Sequence, residues 1–381
     1  MKRYLEERIA DDLRRKMVVL TGPRQVGKTY LARQVAARFS RPCYLNYDSL
    51  TDAAVIGRQS WPADTDLLVL DEIHKMSGWK AFLKGLYDTR PASCSLLVTG
   101  SARMDTFRQT GESLAGRYYR YRLWPLSVAE LRGECSPEEA FRLLLRFGGF
   151  PEPFLSGSET EANRWRGQYY TDLIREDVLE FGRLHEIRAM RLLVELLRRR
   201  VGSPLSYASV AEDLKIAPNT ARRYVEILEA LHIVFLVRPH HANLARAIQK
   251  EPKLYFYDSG YVQGDEGVRV ENTAAVCLKK HADYCADALG VPLELCYIRT
   301  KEKREIDFAL VKDGQPETLI EIKTADASIH KDLITLGARL PGAKLLQLVR
   351  DLRVEEDRDG VSLRRLPRSE ERRVGKECRS R

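Results

Sequence analysis

Thr21-Gly22-Pro23-Arg24-Gln25-Val26-Gly27-Lys28-Thr29 follows the apolar run Met17-Val18-Val19-Leu20 and leads into residues 30–37, which contain no Gly or Pro and space their apolar residues as a helix does. The stretch fits G-x-x-x-x-G-K-[ST], and strand, loop and helix are the context in which that pattern holds phosphate. Gly22 and Gly27 let the backbone wrap closely, so that successive N–H groups and the positive end of the following helix converge on the β-phosphate of a nucleotide. Lys28 is expected to reach the β- and γ-phosphates and the Thr29 hydroxyl to hold Mg²⁺. Pro23, Arg24, Gln25 and Val26 complete the expected ATP-binding loop. A glycine-containing turn that merely matches the pattern is the alternative.

Downstream, Cys43-Tyr44-Leu45-Asn46-Tyr47 reads as a second strand, and Leu67-Leu68-Val69-Leu70 runs straight into Asp71-Glu72. A wholly apolar strand suits a buried parallel sheet. At its carboxyl end Asp71 is expected to join the Mg²⁺ shell opposite Thr29, and Glu72 to orient and polarise the attacking water. The two acids could instead favour the dipole of a helix beginning at Ile73. A further apolar strand, residues 95–99, brings Thr99 and Ser101 forward as sensors of the γ-phosphate, unless they form a plain turn.

Glu112-Ser113-Leu114-Ala115-Gly116-Arg117 and Leu123-Trp124-Pro125-Leu126-Ser127 follow. With the phosphate loop, LVLDEIHK and VTGSAR in this order, the chain resembles the AAA-type ATPases of bacteria and archaea that carry a C-terminal domain of unknown function. The resemblance implies a doubly wound α/β core, ATP as ligand, and Arg117 as an arginine finger or sensor. Nothing like the N-K-x-D of GTPases follows Asp71, which also favours ATP over GTP.

Beyond Glu130 the texture turns helical, and Gly148-Gly149-Phe150-Pro151-Glu152-Pro153 reads as a hinge. Residues 187–240 read as a winged helix: helices at 187–201, 207–214 and 219–231, Asn219 as N-cap, and a wing strand at 234–237. Thr220, Arg222 and Arg223 would face DNA if the last of those helices enters a major groove. A packing module with solvated arginines is the equal alternative.

Near the C-terminus, Lys253-Leu254-Tyr255-Phe256-Tyr257-Asp258 reads as a strand, residues 270–276 as the start of a helix carrying Glu271, and residues 304–310 and 319–323 as a hairpin. Asp307, Glu321 and Lys323 would share one side of that hairpin. Helix glutamate, strand aspartate and E-x-K are similar to the PD-(D/E)XK nuclease fold, in which carboxylates hold Mg²⁺ and the lysine helps activate water. Such a core can also persist as an inert binding platform.

A chain of 381 residues exceeds one compact core. The expected domains are an ATPase core at 1–134, a helical lid at 135–186, the winged helix at 187–245, the nuclease-like domain at 246–366 and a basic tail at 367–381. No apolar run is long enough to cross a bilayer, and the first residues lack the core of a signal peptide, so a cytoplasmic location without a membrane partner is expected. The seven cysteines are scattered and contain no C-x-x-C pair. Cys277, His281 and Cys285 share a helix face, but at about 1.5 Å rise per residue the outer two lie roughly 12 Å apart, so they read as packing residues.

The net charge of +9 is concentrated at the end: residues 364–381 hold eight basic and three acidic residues. Residues 372–381 lack any periodicity and resemble vector or adapter read-through, so the charge says little about DNA. Three functions are therefore expected: an ATPase whose nucleotide state controls a DNA-binding, nuclease-like half, an ATP-gated metal-dependent endonuclease, or a nucleotide-gated regulator with an inert second site. DNA, a protein partner and a second copy of the chain are the partners in view.

Overall fold

The computed structural model describes residues 1–100, 114–179, 184–240 and 250–368, and the chain packs as two units. The first comprises Met1–Trp124, Ala230–His232 and Asp287–Leu289; the second comprises Pro125–Glu229, Ile233–Ala286 and the chain from Gly290 onward.

In the first unit β1 (Met17–Thr21), β2 (Pro42–Asn46), β3 (Leu67–Asp71), β4 (Ser95–Thr99) and β5 (Tyr118–Arg122) form one sheet in the order β2-β3-β4-β1-β5. Every pairing is parallel. The apolar runs of β1 and β3 are buried along their whole length, as strands covered on both faces require. One face packs Met17, Val19, Leu68, Leu70, Leu96 and Val98 into a single cluster with Ile56 and Leu83 of the helices. All the strands run the same way, so their carboxyl ends line one edge, and the phosphate loop leaves β1 at that edge.

The second unit holds an eight-stranded mixed sheet, in the order β12 (Glu356–Arg358), β13 (Val361–Arg365), β11 (Lys344–Val349), β10 (Gln315–Lys323), β9 (Glu305–Lys312), β8 (Leu293–Arg299), β6 (Val234–Pro239), β7 (Lys253–Phe256). β9 and β10 are the expected hairpin, turning at Asp313-Gly314, both in the left-handed region (φ 50° and 76°) that a tight hairpin needs. The strand expected as a wing, β6, instead belongs to this sheet: it pairs antiparallel with β7 and parallel with β8 through Arg238 and Pro239. Asn219 is not the N-cap of its helix, because Pro218 opens Pro218–Ala230 and Asn219 lies within the first turn. The helix carrying Glu271 starts at Glu266, where the Asp265 side chain accepts from Val268 N at 2.9 Å.

The Gly148-Gly149 stretch lies inside the second unit and is no hinge. Gly148 (φ 75°) ends helix Pro137–Phe147, and a Cβ there would come within 2.0 Å of Asp258 Oδ1; one on Gly149 would meet the Leu126 carbonyl at 2.7 Å. Both glycines are close-packing positions. Against them lies an ion pair: Arg166 Nε donates to Asp258 Oδ2 at 2.7 Å, with the side chains 5% and 0% exposed. Arg166 also donates to the Phe147 carbonyl, and Asp258 Oδ1 accepts from Gly260 N. Asp258→Ala strands a buried guanidinium, so urea denaturation of the full chain should register a loss of about 3–5 kcal/mol; a loss under about 1 kcal/mol would contradict this role.

Candidate functional site

The loop after β1 has a backbone that only its sequence permits. Gly22 sits at φ 145°, where a Cβ would approach the Leu123 carbonyl oxygen to 2.3 Å, so the loop is pressed against the chain leaving β5. Gly27, at φ 97°, is the N-cap of helix Lys28–Ala36 and has no side chain to obstruct the exposed amides of the first turn. Gln25 between them is also left-handed, at φ 59°. Arg3, 2% exposed, braces the loop from outside by donating to the carbonyls of Val26 at 2.8 Å and Trp124 at 2.7 Å. Lys28 Nζ donates to the carbonyls of Pro23 at 2.7 Å and Gly22 at 3.1 Å. This is the arrangement of a loop that presents amides and an ammonium together.

Asp71, at the end of β3 and 1% exposed, gathers the neighbouring strands. Its Oδ2 accepts from Thr29 Oγ1 at 2.7 Å and from the Tyr44 hydroxyl at 2.5 Å, and its Oδ1 accepts from Thr99 Oγ1. Burial, and then the carboxylate, push the Tyr44 phenol far above its ordinary range, so it acts as a fixed donor. Glu72 follows at φ 56°, a left-handed conformation that a non-glycine residue rarely adopts and that marks functional turns. Burial raises the Glu72 carboxyl above the usual carboxylate range, opposed by Lys28 and Lys75. His74 Nδ1 lies 3.5 Å from Glu72 Oε2.

The expected residues Lys28, Thr29, Asp71, Glu72 and Thr99 thus meet at one sheet edge. Ser101 lies outside the described residues. Arg117 does not join them: Met17 pairs with Tyr118 at the amino end of β1, so Arg117 sits a full strand away, about 16 Å at 3.3 Å per residue. There its guanidinium takes both carboxylate oxygens of Asp88, at 2.8 and 3.0 Å. Arg3 and Tyr44 were invisible to pattern reading, because each reaches the site through pairings distant in sequence. A polar residue within β2 was the available cue for Tyr44.

Mg²⁺ fits the first site, since the Thr29 hydroxyl and the Asp71 carboxylate already converge at the start of the helix that follows the phosphate loop. The second constellation fits a divalent cation poorly. Asp307 opposes Glu321 across the hairpin, and its Oδ2 accepts from Ile322 N at 2.9 Å. Lys253, its side chain 2% exposed, places Nζ 2.7 Å from Glu305, 3.5 Å from Glu271 and 3.8 Å from Asp307. Burial pulls the Lys253 ammonium down, and those carboxylates more than offset it. Lys323 Nζ takes Glu321 Oε1 at 2.7 Å, leaving Glu321 Oε2 buried without a partner among the described residues. Burial first, then the Asp307 charge, push Glu271 and Glu321 up to about 7.

One orphan oxygen is not a ligand set, and among the described residues no three His, Cys, Asp or Glu side chains are placed to hold a metal. Lys253 and Lys323 compensate part of the charge of these carboxylates. Thr220, Arg222 and Arg223 lie on helix Pro218–Ala230, both arginines exposed, with the Arg222 guanidinium 5.2 Å from the Tyr207 ring centroid.

Comparison with known proteins agrees with the first site. Residues 14–132 match the AAA domain family, and residues 138–264 match a domain of unknown function (DUF8612). An uncharacterized protein of Mycobacterium tuberculosis is 28% identical over 340 residues, covering 87% of this chain and 76% of its own length. An uncharacterized protein of Methanocaldococcus jannaschii is 24% identical over 343 residues, covering 81% and 74%. Among solved structures, a RuvB variant of Thermotoga maritima aligns over 61% of this chain and 86% of its own, at 14% identity and a TM-score of 0.28. No helix among the described residues is long and apolar enough to cross a membrane. The family matches thus place an AAA domain ahead of a domain of unknown function along the chain.

Proposed function

We propose that the first unit binds and slowly hydrolyses ATP, and that nucleotide state governs what the second unit binds. The observation that carries this reading is the Thr29–Asp71 contact of 2.7 Å directly beneath the glycine cradle. Thr29 Oγ1 and the Asp71 carboxylate are the residues that would hold Mg²⁺, which supplies charge neutralisation for the phosphates. The backbone N–H groups between Arg24 and Thr29 bind the β-phosphate, and Lys28 exchanges its bonds to the Gly22 and Pro23 carbonyls for phosphate oxygens. Glu72, held beside His74 in a strained turn, orients a water toward the γ-phosphate and takes its proton. Thr99 reads the result, because the Asp71 oxygen that it grips belongs to the same carboxylate that faces Thr29.

In this reading the second unit is a recognition platform built on a winged-helix-like helical segment and a nuclease-like sheet. The order of Glu271, Asp307, Glu321 and Lys323 supports the nuclease-like fold, and the lysine-paired carboxylates favour an inert site over an ATP-gated endonuclease. The exposed Arg222 and Arg223, with Thr220 on the same helix, make duplex DNA the partner to test. Arg117, remote from the loop of its own chain, would act as a finger only on a second copy.

Titration calorimetry with Mg-ATP should show Lys28→Ala weakening binding at least about 100-fold, since charge-assisted contacts to phosphate are lost; equal affinity for wild type and variant would sink the reading. ATP turnover measured with and without duplex DNA tests the coupling. Stimulation by DNA is expected, and Arg222→Ala with Arg223→Ala should abolish it; identical turnover in the presence and absence of DNA would remove DNA as the partner.

A further inference from the structure

A second charged site lies wholly within the second unit, away from the lysine-paired carboxylates. Helices Pro137–Phe147, Glu159–Leu179 and Glu266–Leu289 and the turn after β11 enclose a cleft of about 670 Å³. Five guanidinium groups line it: Arg142 and Arg146 from the first helix, Arg166 from the second, Arg269 from the third and Arg350 from the turn. Five arginines are brought from four separate elements to one concavity, and their planar forks suit phosphate oxygens. We propose that this cleft binds the phosphate chain of a small polyphosphorylated ligand.

The acids that meet the outer arginines are solvated. Glu159, which meets Arg146, and Glu266 and Asp351, which meet Arg350, are 59%, 64% and 50% exposed, and Glu139, which takes Arg142, is 38% exposed. Carboxylates that solvated are weak partners and are screened by salt. A phosphate can displace them at little cost and leave the buried Arg166–Asp258 pair intact. Arg269 differs from its neighbours: it donates to the Leu145 carbonyl and, among the described residues, has no carboxylate within ion-pair distance.

The volume falls in the range of small-molecule sites. The lining also argues against a single nucleic-acid strand, which needs exposed aromatic faces for base stacking. Phe141 is the lining aromatic, and it is 3% exposed. Recognition therefore rests on phosphate and not on a base.

Calorimetric titration of the full chain carrying Lys28→Ala with sodium tripolyphosphate tests the proposal with binding at the phosphate loop weakened, and dependence on the cleft arginines separates the two sites. One equivalent should bind. Adding Arg146→Gln and Arg269→Gln should weaken that binding at least about tenfold, as loss of charge-assisted hydrogen bonds predicts, and Arg269→Lys in place of Arg269→Gln should restore part of it. Melting curves establish that each variant is folded; should the double variant fail to fold, Arg146→Gln alone, whose partner Glu159 is on the surface, should still weaken binding about threefold or more. Tighter binding of ATP than of tripolyphosphate to the Lys28→Ala chain would identify the ligand as a nucleotide, and equal binding would identify the bare phosphate chain. The proposal is overturned if the Lys28→Ala chain takes up no tripolyphosphate, if the arginine variants bind it unchanged, or if only a 20-residue oligothymidylate binds with dependence on these arginines.

Discussion

A carboxylate at the end of a buried strand must be met by donors, and Asp71 draws its donors from three directions. Thr29 belongs to the helix behind the loop, Tyr44 to the strand on one side, and Thr99 to the strand on the other. An unmet charge at 1% exposure would be expensive, so the carboxylate fixes the relative positions of β2, β3, β4 and the loop helix at their carboxyl ends. The same bonds link any change at the loop to the floor of the sheet. In the proposed reading, structural demand and nucleotide chemistry coincide in one side chain.

The second unit handles buried charge differently. Arg166 and Asp258 form a pair that satisfies both partners, with Gly148 and Gly260 keeping clear the space it needs. Lys253 answers Glu305, Glu271 and Asp307 together, while Lys280 is buried against Glu130, Ser127 and the Pro125 carbonyl. Each amine gives buried carboxylates a counter-charge that they would otherwise lack. In the arginine cleft the carboxylates that meet Arg146 and Arg350 are instead more than half exposed.

Much of this was legible in the sequence, for identifiable reasons. The loop, β3 with Asp71-Glu72, β4 and the β9–β10 hairpin are local patterns: a spacing of glycines, an uninterrupted apolar run, an alternation around Asp313-Gly314. Strands β5, β8, β11, β12 and β13 were not foreseen. Tyr118-Tyr119-Arg120-Tyr121-Arg122 has no apolar run, and only Tyr121 is buried, so its strand character comes from pairing with β1. β6 looked like a wing because its local sequence cannot reveal that Arg238 and Pro239 continue alongside β8. The hinge at Gly148-Gly149 was a misreading of the same kind: glycine permits motion, but it also permits contact, and here Asp258 and Leu126 occupy the space. Arg3, Tyr44, Arg166 and Lys253 act across long sequence separations, and no periodicity encodes such contacts.

The account holds that Glu72, placed by a left-handed turn beside Asp71, serves hydrolysis and not the cradle that binds nucleotide. Single-turnover ATP hydrolysis by Glu72→Gln, measured beside its affinity for Mg-ATP, tests that most directly. Loss of a general base predicts a hydrolysis rate lower by about 10²-fold or more with affinity within a few-fold of wild type. Hydrolysis at the wild-type rate by that variant would contradict the account.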